Sequence, residues 1–172
     1  VIVVADLGRA DMTSLWFMQQ VDYSHLAIDH HADNGHDWVH YLKLIQDRGY
    51  QIGGIWLPHD ARQKHISAKK SVYGQTKEMY PQKGIVRIIP LVPVATRINL
   101  LRTLFPRILF AEEPTEAGVN GLVHYQYDVD EEDGTRSDKP LHNWASHDAD
   151  GLRTMAMAVS EVVVEPVNKP PR

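Results

Sequence analysis

The chain predicts a mixed α/β fold in which a sheet opens as an antiparallel meander and continues with parallel crossover strands. Two observations predict it. Three apolar or alternating runs, at residues 1–6, 13–20 and 23–30, follow one another with only a tight connection around Val21 and Asp22 between the second and third. From residue 36 onward, helical periodicity alternates with short apolar runs, which is the pattern of strands joined by crossover helices.

Element by element, residues 1–6 read as a fully buried strand, and residues 13–20 and 23–30 complete the meander. Residues 36–48 place Trp38, Val39, Tyr41, Leu42, Leu44 and Ile45 at spacings near three and four, with Gly49 as a helix stop, so an amphipathic helix is expected. Residues 52–57 form a short strand ended by Pro58, which leaves Asp60 in the loop at its C-terminal end. Residues 61–73 are basic and weakly patterned and read as a loop. A short helix over 75–80, a strand over 85–89, a helix over 94–105, a strand over 108–110 and a helix over 114–124 follow. Between Tyr125 and Leu141, polar alternating arms flank an Asp133-Gly134 step, the signature of a protruding β-hairpin. Residues 144–163 read as the last long helix and 165–172 as a frayed, proline-bearing tail. The tryptophans at 16, 38, 56 and 144 all fall on expected elements, where core packing is their default.

A chain of 172 residues suits one domain, which at this length buries roughly 70% of its unfolded surface. It contains no cysteine, so disulfides, thiolate metal sites and a cysteine nucleophile are excluded, and a reducing compartment suits it. No apolar run approaches the roughly 20 residues that span a bilayer, so no membrane partner is expected. The chain begins at Val1, already inside a strand-like run and without an initiator methionine, which leads us to expect a domain excised from a longer protein. The net charge of −4 conceals strong segregation: residues 62–107 hold ten Lys and Arg against Glu78 alone, whereas residues 111–138 hold nine acids against Arg136. Local fields decide contacts, so the basic segment is either a solvated face or a phosphate-binding stripe.

Three aspartates stand where ligands gather. Asp6 ends the first apolar run, Asp60 follows another in I-W-L-P-H-D-A, and Asp150 opens the C-terminal helix in S-H-D-A-D-G-L-R. Phosphodiester hydrolysis with two hard cations needs carboxylates that hold the ions ~4 Å apart, and oxygen ligands suit Mg²⁺ or Mn²⁺. Asp6 would then bridge two ions, Asp60 and Asp150 would complete the two sides, and Asp11 could add an outer ligand. For each acid alone a cap or turn is the blander explanation, above all for Asp150 near a helix start. His59 and His147 each neighbour one of these acids, and His147 could orient a carboxylate, accept a proton or cap the helix.

Other motifs point elsewhere or nowhere. Asp29-His30-His31-Ala32 looks like the D-H-H-A signature of a phosphoesterase family, but no D-x-D pair or supporting motif accompanies it, so exposed histidines at the end of an edge strand are the favoured explanation. His36 and His40 have a zinc-like spacing without the glutamate of H-E-x-x-H, which leaves ordinary exposed helix histidines. No phosphate-binding G-x-x-x-x-G-K-[ST] loop and no G-x-S-x-G elbow occur, and adjacent Ser24 and His25 are poor geometry for a nucleophile and its base.

The runs D-L-G-R-A-D-M-T-S-L-W, I-D-H-H-A-D-N-G-H-D-W-V-H-Y, G-G-I-W-L-P-H-D-A and K-P-L-H-N-W-A-S-H-D-A-D-G-L-R, in this order, resemble the nuclease domain of phage large terminase subunits. The resemblance spans residues 3–158, with L-P-H-D-A and S-H-x-A-D the most diagnostic segments. It implies an RNase H-like fold and a two-metal endonuclease acting with little sequence preference on concatemeric double-stranded DNA. It assigns Asp6, Asp60 and Asp150 as metal ligands, and sets Asp148 at a variable place in its motif. It also implies an ATPase domain upstream, a portal and a small terminase subunit as partners, and a place in the host cytoplasm during infection; the domain alone is expected to be monomeric. Lys64, Lys69 and Lys70, on the loop after Asp60, are the expected phosphate contacts. The acidic hairpin is expected to flank the site and gate DNA entry by like-charge repulsion. Gly151, where alanine is usual, is expected to loosen the helix start. The alternatives are a phosphoesterase acting on small nucleotides through His30 and His31, and a non-catalytic RNase H-like module that binds DNA or protein.

Overall fold

The computed structural model describes residues 1–8, 12–64, 70–129 and 134–164; of Asp138 and residues 161–164 only the backbone is described. Asp11, Lys69, Asp133 and the tail from residue 165 lie outside these residues. The strands are β1 (Ile2–Asp6), β2 (Thr13–Val21), β3 (Ser24–Asp33), β4 (Gly54–Leu57), β5 (Val86–Ile88) and β6 (Ile108–Phe110), joined in one sheet of order β5-β4-β1-β2-β3-β6. The pairs β1·β2 and β2·β3 are antiparallel, whereas β1·β4, β4·β5 and β3·β6 are parallel. A meander continued by crossovers is therefore the observed topology. The meander turns at Asp22, whose φ of 53° lies in the left-handed region, with Val21 paired to Ser24.

Helices cover both faces. On one side lie α1 (Trp38–Asp47) and α2 (Val72–Met79); on the other, α3 (Val94–Leu104), α4 (Glu112–His124) and α5 (Trp144–Val164). The two-residue pleat of β1 and β2 explains the division. Val3, Ala5, Leu15 and Phe17 pack with Trp38, Tyr41, Leu42 and Ile45 in one core. Val4, Trp16 and Met18 pack with Leu152, Met155 and Ala158 in the other. Strands covered on both faces read as continuous apolar runs, which is what β1 and β4 are. No helix among the described residues is long and apolar enough to cross a membrane.

Several local boundaries differ from expectation. The second helix begins at Val72 rather than 75 because the Ser71 hydroxyl accepts a hydrogen bond from Gly74 N at 3.1 Å and caps it. Asp60 lies in a single 3-10 turn, His59–Arg62, instead of an open loop. The helix α4 starts two residues early, with Glu112 and Glu113 in the first turn, where carboxylates suit the dipole. The hairpin is a separate two-stranded sheet of β7 (Tyr127–Val129) and β8 (Arg136–Pro140). Trp144 is half-exposed against the His124 ring rather than buried.

The α4 and α5 helices approach the sheet closely because glycines line the contact. A Cβ at Gly118 would fall 2.5 Å from Trp16 Cη2 and 2.8 Å from His30 Cδ2, and one at Gly121 would collide with the Asp148 carboxylate. At Gly151 a Cβ would fall 2.9 Å from Trp16 Cδ1. Gly151 is thus the place where α5 crosses Trp16, which corrects its expected role as a loosened helix start. Gly118→Ala should destabilise the domain by about 1–3 kcal/mol in urea unfolding, because overpacking against an immobile indole exceeds the helix-propensity gain of alanine; unchanged stability would show that Trp16 yields.

Candidate functional site

The β1 strand delivers Asp6 to the sheet edge that faces α5. By the parallel register, in which Val4 pairs with Trp56, Asp6 is level with Pro58, so Asp60 follows two residues beyond on the neighbouring chain segment. Asp150 comes from α5. Its position is not a cap: Asn143 caps this helix, its Oδ1 accepting from Ala145 N at 3.0 Å and its carbonyl from Ser146 N at 3.0 Å. Asp150 lies almost two turns inside. This corrects both the helix-start reading of Asp150 and the capping reading of His147.

His147 Nδ1 stands 3.4 Å from Asp6 Oδ2, and its ring meets the His142 ring edge-on at a centroid distance of 5.4 Å. The imidazole therefore contacts the first acid from the helix that carries the third. Asp150 Oδ1 is shielded from solvent and forms an ion pair with the Arg153 guanidinium three residues on. Arg153 also donates from Nη1 to the Tyr125 hydroxyl at 2.6 Å. Burial pulls the Arg153 guanidinium below its ordinary range; Tyr125 and Asp6 act in the opposite sense, and Arg97 reinforces the lowering. A cleft of about 390 Å³ opens here between α3, α5 and the base of the hairpin, lined in part by Tyr125, Lys139, His142, Ser146, Asp150 and Arg153. Among the described residues, the carboxylates of Asp6, Asp60 and Asp150 do not converge to within 4.8 Å as a threesome. Arg153 lies beside Asp150 and within electrostatic reach of Asp6.

Asp148 has a different place. Helical residues two apart point about 200° away from each other, and Asp148 accordingly turns into the core while Asp150 turns to the cleft. Asp148 Oδ1 accepts from Ser14 Oγ at 2.9 Å and meets His30 Nε2 at 2.8 Å; its backbone carbonyl accepts from the Trp16 indole at 3.0 Å. All four residues are buried. His30 is thus a core histidine, which overturns the expectation of an exposed one. Strand alternation also dismantles the D-H-H-A run, since Asp29 points the other way, to Arg48 Nε at 3.2 Å and the Tyr50 hydroxyl at 3.4 Å. Sequence reasoning missed this polar knot because its members are far apart in the chain.

The basic residues have mixed placements. Lys64 is exposed beyond the Asp60 turn, and Lys70 Nζ forms a surface ion pair with Glu78 Oε2 at 2.6 Å. Arg62 lies over the Tyr73 ring at 4.5 Å and Arg87 over Trp56 at 4.9 Å, so part of the basic segment is engaged with the domain's own aromatics.

Neither a protein-family model nor a curated protein sequence matches the chain. Solved structures do. The chain shares the fold of the nuclease domains of large terminases. The P22 large terminase nuclease domain superposes with a TM-score of 0.67 at 15% identity, covering 92% of this chain and 80% of that one. The bacteriophage SPP1 g2p nuclease domain, solved with bound Mn, gives 0.62 at 12% identity, covering 88% and 82%. The large terminase of the thermophilic bacteriophage D6E, in complex with ATP-gamma-S, gives 0.66 at 18% identity and covers 90% of this chain, which spans 38% of that longer protein. At these identities the likeness is one of fold.

The knot around Asp148 should dominate local stability. Hydrogen bonds to a buried carboxylate contribute roughly 1.5–3 kcal/mol each, so Asp148→Ala should cost about 3 kcal/mol or more in chemical denaturation; a loss below about 1 kcal/mol would mean that Ser14 and His30 find other partners.

Proposed function

We propose that this domain is a divalent-metal-dependent endonuclease of a viral DNA-packaging terminase, cutting concatemeric double-stranded DNA with little sequence preference. The reading is supported by a fold shared with terminase nuclease domains, in which Asp6 closes β1, Asp60 follows the neighbouring parallel strand β4, and His147 of the helix that carries Asp150 stands 3.4 Å from Asp6. The donor set fits hard cations: carboxylate oxygens and no thiolate. Mg²⁺ or Mn²⁺, as two ions, would activate water and neutralise the leaving oxygen.

This chain's own residues would do the rest. Asp6 on the central β1, Asp60 and Asp150 would hold the ions, with Asp11 as a further candidate. His147 fixes the Asp6 carboxylate through Nδ1. Arg153 is ion-paired with Asp150 and would be a counter-ion for phosphate at this site. Lys64, Lys69 and Lys70 follow Asp60 in the sequence and would contact the backbone of the duplex; the Lys70–Glu78 pair is exposed and weak enough to be exchanged for a phosphate. The larger setting implied is an upstream ATPase domain, consistent with the ATP-gamma-S complex of the longer D6E protein, together with a portal and a small subunit, in the cytoplasm of an infected host. The phosphoesterase alternative is disfavoured, because His30 is held in the core by Asp148 and Ser14.

Plasmid cleavage in the presence of Mn²⁺ should disappear with EDTA and with Asp60→Asn, while the circular dichroism of the variant stays that of the parent. Full activity of Asp60→Asn would refute the site, and a variant that binds the cation but is inactive would separate binding from chemistry. Deleting residues 130–138 should raise the cleavage rate of the isolated domain if the acidic hairpin repels DNA; an unchanged or lower rate argues against gating.

A further inference from the structure

A second cluster of ligand-type side chains lies on the opposite face of the sheet from Asp6. At the C-terminal end of β3 and the first turn of α1, three imidazoles surround one carboxylate. Asp33 Oδ2 stands 3.0 Å from His31 Nε2, 3.6 Å from His40 Nε2 and 3.7 Å from His36 Nε2. His31, Asp33 and His40 can each offer one atom such that all three lie within 4.8 Å of one another. Metal bonds of about 2.0–2.2 Å in a tetrahedral zinc centre place neighbouring ligand atoms about 3.4 Å apart. The three observed separations bracket that value.

The surroundings favour a cation over a plain hydrogen-bonded cluster. His31 Nε2 and Asp33 Oδ1 are both shielded from solvent, and neither makes a hydrogen bond of proper geometry. An anion is disfavoured by the carboxylate at the centre. Two imidazoles with one carboxylate suit Zn²⁺ and its borderline neighbours better than Mg²⁺, which prefers six oxygens. The frame is also well braced. His31 and Asp33 share one face of β3. Asp37 caps α1 by accepting from His40 N at 3.0 Å. The His36 and His40 rings stack at 3.9 Å and 16°, and the Tyr41 hydroxyl donates to the Asp33 carbonyl at 3.3 Å.

We propose that His31, Asp33 and His40 form a three-ligand Zn²⁺-class site, its remaining position left to water, that clamps the end of β3 to the start of α1 across the connection of residues 34–37. The site is independent of the nuclease reading, because its ligands face α1 and the proposed catalytic acids face α5.

The test uses the 172-residue chain stripped of metal, at about pH 7.5. Zn²⁺ is titrated by calorimetry and Co²⁺ by visible absorption, both in the parent and in Asp60→Asn, which removes a carboxylate from the other centre. We expect a saturable Zn²⁺ site, an intense tetrahedral Co²⁺ spectrum and a higher thermal midpoint with Zn²⁺, all retained in Asp60→Asn. His40→Ala, a change at a half-exposed helix position, and His31→Ala should each weaken Zn²⁺ by roughly tenfold or more and erase the Co²⁺ bands. Zn²⁺ affinity unchanged in both histidine variants, or no saturable Zn²⁺ binding by the parent, would overturn the proposal.

Discussion

The contact on which this molecule's working edge depends is the buried one between Asp148 and the sheet. The carboxylate bonds Ser14 of β2 and His30 of β3, and the backbone carbonyl of the same residue takes the Trp16 indole. A polar group in such a place is costly unless it is satisfied, and once satisfied it admits a single arrangement of its neighbours. That arrangement fixes both the rotation and the height of α5 over the strands. His147 and Asp150 flank Asp148 in the chain, so their directions are set by the same anchor. The glycines at 118, 121 and 151 are its steric counterpart, since each clears the space in which Trp16, His30 or Asp148 sits.

This division of labour separates two acids that look equivalent in S-H-D-A-D. One is structural, held in the core by side chains from two strands; the other lines a cleft beside an arginine. The helix period alone creates the distinction, because two positions along an α-helix differ by more than half a revolution. The same logic applies on β3, where a pleat of two sends His30 to one layer and Asp29, His31 and Asp33 to the other. Runs of chemically attractive letters are therefore poor guides until the period of the element that carries them is known.

Much of the architecture was legible in the sequence. The meander, the crossovers, the position of the last long helix and the hairpin all follow from apolar periodicity and turn residues, which are local signals. The site was legible only as positions at element ends and through its motif context. What escaped was long-range: Asp148 meets His30 across 118 residues of chain and Ser14 across 134, and nothing local announces either contact. The role of Gly151 escaped for the same reason, because a helix interior gives no hint of the indole it crosses. Ser71 was a missed local signal, a capping hydroxyl hidden in a stretch whose basic character suggested a loop. The convergence of His31, His36 and His40 on Asp33 joins a strand to a helix across a left-handed Gly35 with a φ of 80°, a turn geometry that the spacing of the histidines alone does not specify.

Arg153 joins two parts of the molecule that the topology keeps separate. Its guanidinium grips the Tyr125 hydroxyl at the foot of the hairpin while lying against Asp150 on its own helix. Among the described residues the hairpin forms no ladder with the main sheet, so this side chain is a link between the arm and the acid. A tilt of the arm that pulls Tyr125 away must either drag the guanidinium off the carboxylate or leave a buried cation with one partner fewer. The arm and the acid consequently report on each other's position.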